Sequence, residues 1–328
     1  MLSKQVENAG QRSALAEGGG QLVAESAKCP LCAGAAPLRA VMPIDAKTFR
    51  PTPHGRIYNC ASCSFGFVHP RPPDTSPFYE LDAYYTQGAS HMPVVPPSLA
   101  EKVRTHLAWR FDKGESLVSI LAGILSPGST VVDIGCGGGA LLRELGRMGH
   151  RAVGVERDGA ATNEGLEVLN GSAESLPEIE PCDAVVFSHV LEHLANPVDA
   201  LARAAKLLKP GGYLVCEVPN NEALIARQSR LAWEHLDVPR HLNFFMEASL
   251  ATAVSQVAKP LRSYFAGYCR YFSGSFIATE QRIYDQLAAH GTPDAERNSD
   301  WASWKLLAKT ALASPRDKYD SVGVIAIA

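Results

Sequence analysis

The sequence predicts a doubly wound α/β domain, a mostly parallel sheet with helices on both faces, preceded by a small cysteine-clipped module. Three observations carry this prediction. From residue 130 onward, short apolar runs alternate with helix-periodic segments, as strands joined by crossover helices do. The first of these strands runs straight into a glycine cluster, VVDIGCGGG over 131–139. Ahead of them, Cys29 with Cys32 and Cys60 with Cys63 form two C-x-x-C pairs.

In chain order, residues 1–27 read as a loosely ordered tail rich in Gly, Ala, Ser and Gln. Residues 28–75 hold the four-cysteine module, and 76–125 a linker followed by a helical cover segment. Over 98–125 the apolar spacing is helical, with Leu99, Val103, Leu107 and Phe111 on one side. The α/β domain spans 126–328. Its strands are expected at 130–134, 152–156, 183–188, 213–218 and 321–328, and its first helix at 140–148. Asn196-Pro197 opens another helix, Asn as cap and Pro in the first turn, and Lys209-Pro210-Gly211-Gly212 ends it. A helical insertion is expected at about 270–318.

Charged residues make up 20% of the 328-residue chain and the formal net charge is −3, so global charge does not suggest a nucleic-acid partner. No stretch approaches the roughly 18 apolar residues of a membrane span. The first residues lack a signal-peptide core, which makes the cytoplasm the expected location. Eight cysteines in such a chain suggest metal or reduced thiols rather than disulfides. Nothing in the sequence sets an oligomeric state.

A strand that turns abruptly into a helix needs residues without a Cβ, so that backbone can approach a ligand. Gly135, Gly137 and Ala140 would also satisfy a dinucleotide fingerprint, with Glu156 as the ribose acid, and a purely structural turn is the third option. Asp133 argues against a diphosphate, which it would repel; a ligand with an ammonium and a sulfonium suits it better. Walker-type phosphate binding is excluded because no Lys-Ser/Thr follows the glycines.

VVDIGCGGG, then VGVE, GSAESLP and DAVVFSHVLEHLANPVDALARAAKLLKPGGYLVCEVPN, lie in this order over about 130–220. Together they resemble the class I S-adenosylmethionine-dependent methyltransferases of the broad small-molecule type. That resemblance implies a Rossmann-like seven-stranded sheet and S-adenosylmethionine as cofactor. It implies that Asp133, Gly135, Cys136 and Gly137 hold the methionine end and Glu156 the ribose. Ala173 and Glu174 would border the adenine, and Ser188 with His189 would line the floor. In one departure, Ser172 stands where such families often carry an Asp for the adenine amino group.

Methyl transfer requires an aligned acceptor and removal of its proton. His189, Glu192 and His193 follow the fourth strand, where open α/β sheets place ligands, and His193 is either the base or a locally packed residue. The segment WEHLDVPRHLNFF over 233–245 reads as a lid, with His235, Arg240 and His241 facing a polar, anionic acceptor, or as a structural loop. His189, Glu192, His193 and His241 also resemble, with His189 replacing a Glu, the metal-binding set of small-RNA 2′-O-methyltransferases and some ubiquinone-pathway O-methyltransferases.

Cys29, Cys32, Cys60 and Cys63 can close a tetrahedral zinc site. Redox-active pairs are the competitor, but neither pair has a thioredoxin-like context. Four thiolates leave no open position, which makes the zinc structural. Zinc ribbons with a similar aromatic and Pro-rich sequel precede methyltransferase domains in several bacterial families, including deoxysugar C-methyltransferases. The expected activity is methylation of a small polar metabolite, such as a sugar derivative or natural-product intermediate, on oxygen before carbon. The rivals are an RNA methyltransferase gripping nucleic acid with the ribbon, and a non-catalytic binding protein on the same fold.

Overall fold

The protein was analysed as a computed structural model that describes residues 25–79, 96–157, 165–292 and 297–328. The tail expected at 1–27 therefore falls almost wholly outside the described residues, as does 80–95 of the linker.

The N-terminal module contributes β1 (Ser26–Lys28), β2 (Ala35–Val41), β3 (Arg56–Asn59) and β4 (Gly66–Val68), each antiparallel to the next. Two helices follow, α1 (Leu99–Phe111) and α2 (Leu117–Ile124), each capped by a serine side chain, Ser98 and Ser116. The sequence places Leu99, Val103, Leu107 and Phe111 on one side of a helical stretch here. In fact α1 buries Glu101, Arg104 and Ala108, while Leu99 is 79% exposed and Val103 47%. The reason is partnering rather than periodicity. Fully buried Arg104 donates to the Phe272 carbonyl and to Asp300, and Glu101 accepts from the Gly274 amide. These charges are compensated only on that face.

The α/β domain runs β5 (Thr130–Ile134), α3 (Ala140–Arg147), β6 (Arg151–Glu156), β7 (Glu167–Asn170), β8 (Cys182–Ser188), α4 (Pro197–Ala205) and β9 (Leu208–Pro219). It continues through α5 (Leu224–Ser229), β10 (Asn243–Phe244), α6 (Glu247–Ser255) and β11 (Lys259–Ala266) to α7 (Gly274–Ala289), α8 (Asp300–Thr310), α9 (Pro315–Lys318) and β12 (Ser321–Ile327). The seven-stranded sheet has the order β11-β12-β9-β8-β5-β6-β7. Its five strands from β9 to β7 are parallel, and β12 runs antiparallel to both β9 and β11. Val131, Val132, Val185, Val186, Val215 and Val218 are fully buried, as a sheet covered on both faces requires. The helices α7 to α9 sit between β11 and β12, where the insertion was expected.

The chain leaves β5 for β6 and β7 on one side, then returns to β8 and β9 on the other. The carboxyl ends of β5 and β8 therefore flank the point where strand order reverses, the crevice in which such sheets hold ligands.

The module does not stand apart. β10, from the segment read as a lid, pairs antiparallel with β4 and completes a five-stranded sheet, Asn243 opposite Phe67 and Phe244 opposite Gly66. Phe65 packs on Phe245 with ring centroids 5.0 Å apart, and both belong to the same core as the main sheet. Among the described residues no helix is long and apolar enough to cross a membrane.

Candidate active site

The strand β5 delivers Asp133 to the crevice, 4% exposed. Burial, and then the neighbouring Glu156, push its carboxyl up to about 7. Such a group lacks a compensating cation, and a cationic ligand would supply one. The chain then turns through Gly135, Gly137 and Gly139, all at positive φ. At Gly135 a Cβ would lie 2.6 Å from Val190 Cγ2, so only glycine fits there; at Gly137 nothing lies within 4 Å of the same position. The loop is tight on one side and open on the other, where a ligand could approach backbone.

Glu156, at the end of β6, accepts from the Gly137 amide at 2.9 Å and the Arg157 amide at 3.0 Å. One carboxylate thus braces the glycine turn on the neighbouring strand. Cys136 is buried against Gly154, where a Cβ would meet its sulfur at 2.5 Å. Ala173 is buried, and exposed Glu174 reaches Arg157 at 3.6 Å. Ser172 is occupied in a tight turn with Ser175 through reciprocal backbone bonds of 3.1 Å. Ser172, Ser175, Arg157 and Asn170 line a shallow cleft of about 320 Å³, Arg157 next to Glu156 in the chain.

Ser188 ends β8, and His189 follows at φ +55. Its two ring nitrogens face two carboxylates, Nδ1 to Glu192 at 3.4 Å and Nε2 to Glu217 at 3.5 Å. Burial opposes charge on His189, but the two acids outweigh it and raise its pKa. His189 is accordingly an imidazolium at neutral pH, unable to accept a proton. Glu217, at the end of β9, was missed in the sequence, although a lone acid in an apolar strand is a readable signal.

Glu192 is 1% exposed, not solvated, and neither of its oxygens has a hydrogen-bond partner. Glu192, His193 and His241 bring their ligating atoms within 4.8 Å of one another. His193 Nδ1 contacts the Tyr79 hydroxyl at 2.9 Å and the Arg240 carbonyl at 3.3 Å; His241 Nδ1 contacts the His235 carbonyl at 2.7 Å. Both rings are therefore oriented through one nitrogen, leaving Nε2 for other work. Burial lowers both pKa values, for His241 to about 4. Tyr79 lies in the aromatic stretch read only as linker.

Arg240 departs from the anion-gripping role expected of it. It is fully buried, bidentate to Asp45 of the module at 2.6 and 3.0 Å, and bonded to Asp237 at 2.9 Å. It pins the lid to the module, with its guanidinium engaged by these two carboxylates and the Phe78 carbonyl.

At the N-terminus the four thiols converge, with Sγ–Sγ separations of 3.7 Å for Cys29–Cys63 and 3.4 Å for Cys32–Cys60. A tetrahedron of thiolates around zinc has edges of about 3.8 Å, from Zn–S bonds of about 2.3 Å. Each pair sits in the same turn: Ala33 and Ser64 adopt φ +61 and +59, and their amides donate to the Cys29 and Cys60 carbonyls.

Residues 103–257 match the family model of a methyltransferase domain. Over that span the chain is similar to a methyltransferase domain. Ubiquinone biosynthesis O-methyltransferase of Maricaulis maris is 30% identical over 154 residues, 42% of this chain and 61% of that protein. The protein of the same name from Roseobacter denitrificans is 31% identical over 156 residues, 42% of this chain and 60% of its own length. The chain thus spans less than two thirds of these relatives. A solved S-adenosylmethionine-dependent methyltransferase from Archaeoglobus fulgidus overlaps 78% of this chain and all of its own at 19% identity and a TM-score of 0.44. The matched span includes the glycine loop, both strand-end carboxylates and the Glu192–His193–His241 cluster.

Proposed function

We propose that the protein transfers a methyl group from S-adenosylmethionine to an oxygen of a small polar metabolite, such as a sugar derivative or natural-product intermediate. The carrying observation is the pair of carboxylates, Asp133 and Glu156, at the ends of adjacent parallel strands around a glycine turn with open space at Gly137. A buried acid pushed up to about 7 fits a ligand bearing positive charge and disfavours a diphosphate. When bound, the cofactor supplies a methyl carbon activated by a positive sulfur. Asp133, Gly135, Cys136 and Gly137 would hold its methionine end, Glu156 its ribose, Ala173 and Glu174 its adenine border, with Ser188 and His189 beneath. Likeness to enzymes named as O-methyltransferases supports oxygen as acceptor.

His193, neutral and steered by Tyr79, is the base of this reading, with His189, Glu192 and His241 holding the acceptor side. A second arrangement is favoured by the convergence of Glu192, His193 and His241, whose ligating atoms lie within 4.8 Å of one another: the three would hold a divalent cation against the acceptor hydroxyl. Zinc on Cys29, Cys32, Cys60 and Cys63 is structural in either case, because four thiolates complete its shell.

Calorimetric titration with S-adenosylmethionine and with NAD, followed by labelled-methyl transfer into a metabolite extract read by mass spectrometry, tests the proposal. Saturable binding of the first alone, with label appearing as a methyl ether, is expected. Binding of NAD, or of neither, would leave a dinucleotide protein or a non-catalytic scaffold; label in added RNA would turn the reading to nucleic acid. Loss of turnover with EDTA, restored by a divalent cation while the ribbon keeps its zinc, would select the metal-assisted form.

A further inference from the structure

A cleft of about 350 Å³ lies where the cysteine module meets α5, away from the glycine turn. Its floor includes Ile57, Leu231 and Trp233, all at least nine-tenths buried, and its mouth carries the exposed Arg39, Arg227 and Arg230. The residues lining it include no carboxylate. Arg39, Asn221 and Arg227 are shared with a larger neighbouring cleft of about 740 Å³, where the acids are already matched: Asp317 by Arg227, and Glu222 and Glu247 by Arg316.

Two details point this cleft at a ligand rich in acceptor oxygens. Arg39 is the extra residue of a β-bulge, since Leu38 pairs with Tyr58 and Ala40 with Ile57; bulges re-aim side chains out of register. Its guanidinium has no partner among the described residues. Trp233, 1% exposed, holds a buried indole N–H with no acceptor, an arrangement that is costly unless something supplies one. Apolar walls with cationic donors and no carboxylate suit an apolar body ending in an anionic oxygen group, and the volume lies in the range of small-molecule sites.

We propose that this cleft binds an anionic amphiphile, a short apolar body carrying a carboxylate or phosphate, clamped between module and catalytic domain. The proposal is independent of the methyl-transfer reading, because the cleft involves neither Asp133 nor Glu156. Its inner wall nonetheless adjoins the lid, the Trp233 ring lying 5.5 Å from that of His235.

The test titrates the full-length, zinc-loaded chain, without S-adenosylmethionine, with octyl phosphate, octanoate and octyltrimethylammonium below their micelle concentrations. Saturable binding of the two anions and not the cation is expected. Arg39→Glu, a change at an exposed residue, should weaken the anions at least about tenfold with zinc content and circular dichroism unchanged. Trp233→Phe should abolish the intrinsic-fluorescence change caused by octyl phosphate. Octanoate alone binding would mark a carboxylate site, and octyl phosphate alone a phosphate site, each within the proposal. Equal binding of cation and anions, binding of none, or unaltered affinity in Arg39→Glu would overturn it.

Discussion

At the residue scale the deciding group is Asp133. Its folded pKa lies well above the ordinary value for Asp, raised to about 7 by burial and by Glu156. The carboxyl is thus mostly protonated below that pH and ionised above it, and a cationic ligand prefers the ionised form. S-adenosylmethionine affinity should therefore rise from about pH 6 to about pH 8, by up to about tenfold per unit below the pKa. In Asp133→Asn binding should be weaker and should lose this component of its pH dependence. Titrations at several pH values with both proteins check it; parallel curves would remove Asp133 from the cofactor site.

Among elements, the lid shows most clearly how a site is assembled. The segment 233–245 supplies His241 to the Glu192–His193 cluster and β10 to the module. Its position depends on Arg240, whose charge is compensated by Asp45 and Asp237. Arg240→Ala would strand two buried carboxylates, a change that typically costs about 3–5 kcal/mol. A lower urea midpoint is the expected outcome. A variant of undiminished stability with only weakened acceptor binding would instead return Arg240 to the anion-gripping role.

Legibility followed element type. The strands β5, β6, β8 and β12 and the helix α3 were readable because buried apolar runs and glycine turns are local signals. Asp133, Glu156 and the four cysteines stand out by position and spacing, and the fold brings the two carboxylates and the four thiols each together. By contrast, the face that α1 buries was not readable, since the partners of Glu101 and Arg104 lie about 170 and more residues away, at Phe272, Gly274 and Asp300. The same holds for Glu217 on His189 and Tyr79 on His193, contacts that only the folded chain brings together. β10 was invisible because two residues carry no periodicity.

Across the whole molecule, the cysteine module and the crevice at the carboxyl ends of β5 and β8 are mechanically joined. The Leu242 amide donates to the Glu192 carbonyl at 2.7 Å, and Val68 in turn donates to the Leu242 carbonyl at 3.0 Å. Arg71 donates to Asn243 at 2.7 Å and to the Leu194 carbonyl at 3.2 Å. Removing zinc, by chelation or Cys29→Ser, should thus lower the melting temperature and reduce turnover far more than S-adenosylmethionine affinity, because Asp133 and Glu156 stand on strands that pair within the main sheet, whereas β10 and the lid pair with the module. Metal analysis, thermal melts and paired binding and rate measurements check this. Unchanged zinc in Cys29→Ser would refute the four-cysteine site.

Sharing β10 between two sheets also limits how the protein can be recombined. A ribbon from a relative could not be exchanged as a self-contained cassette cut at the linker, because the strand that pairs with β4 and the counter-ion of Asp45, Arg240, are encoded roughly 175 to 195 residues later. A working chimera would have to carry residues 237–244 along with the graft, so that both parents' boundaries are discontinuous in sequence.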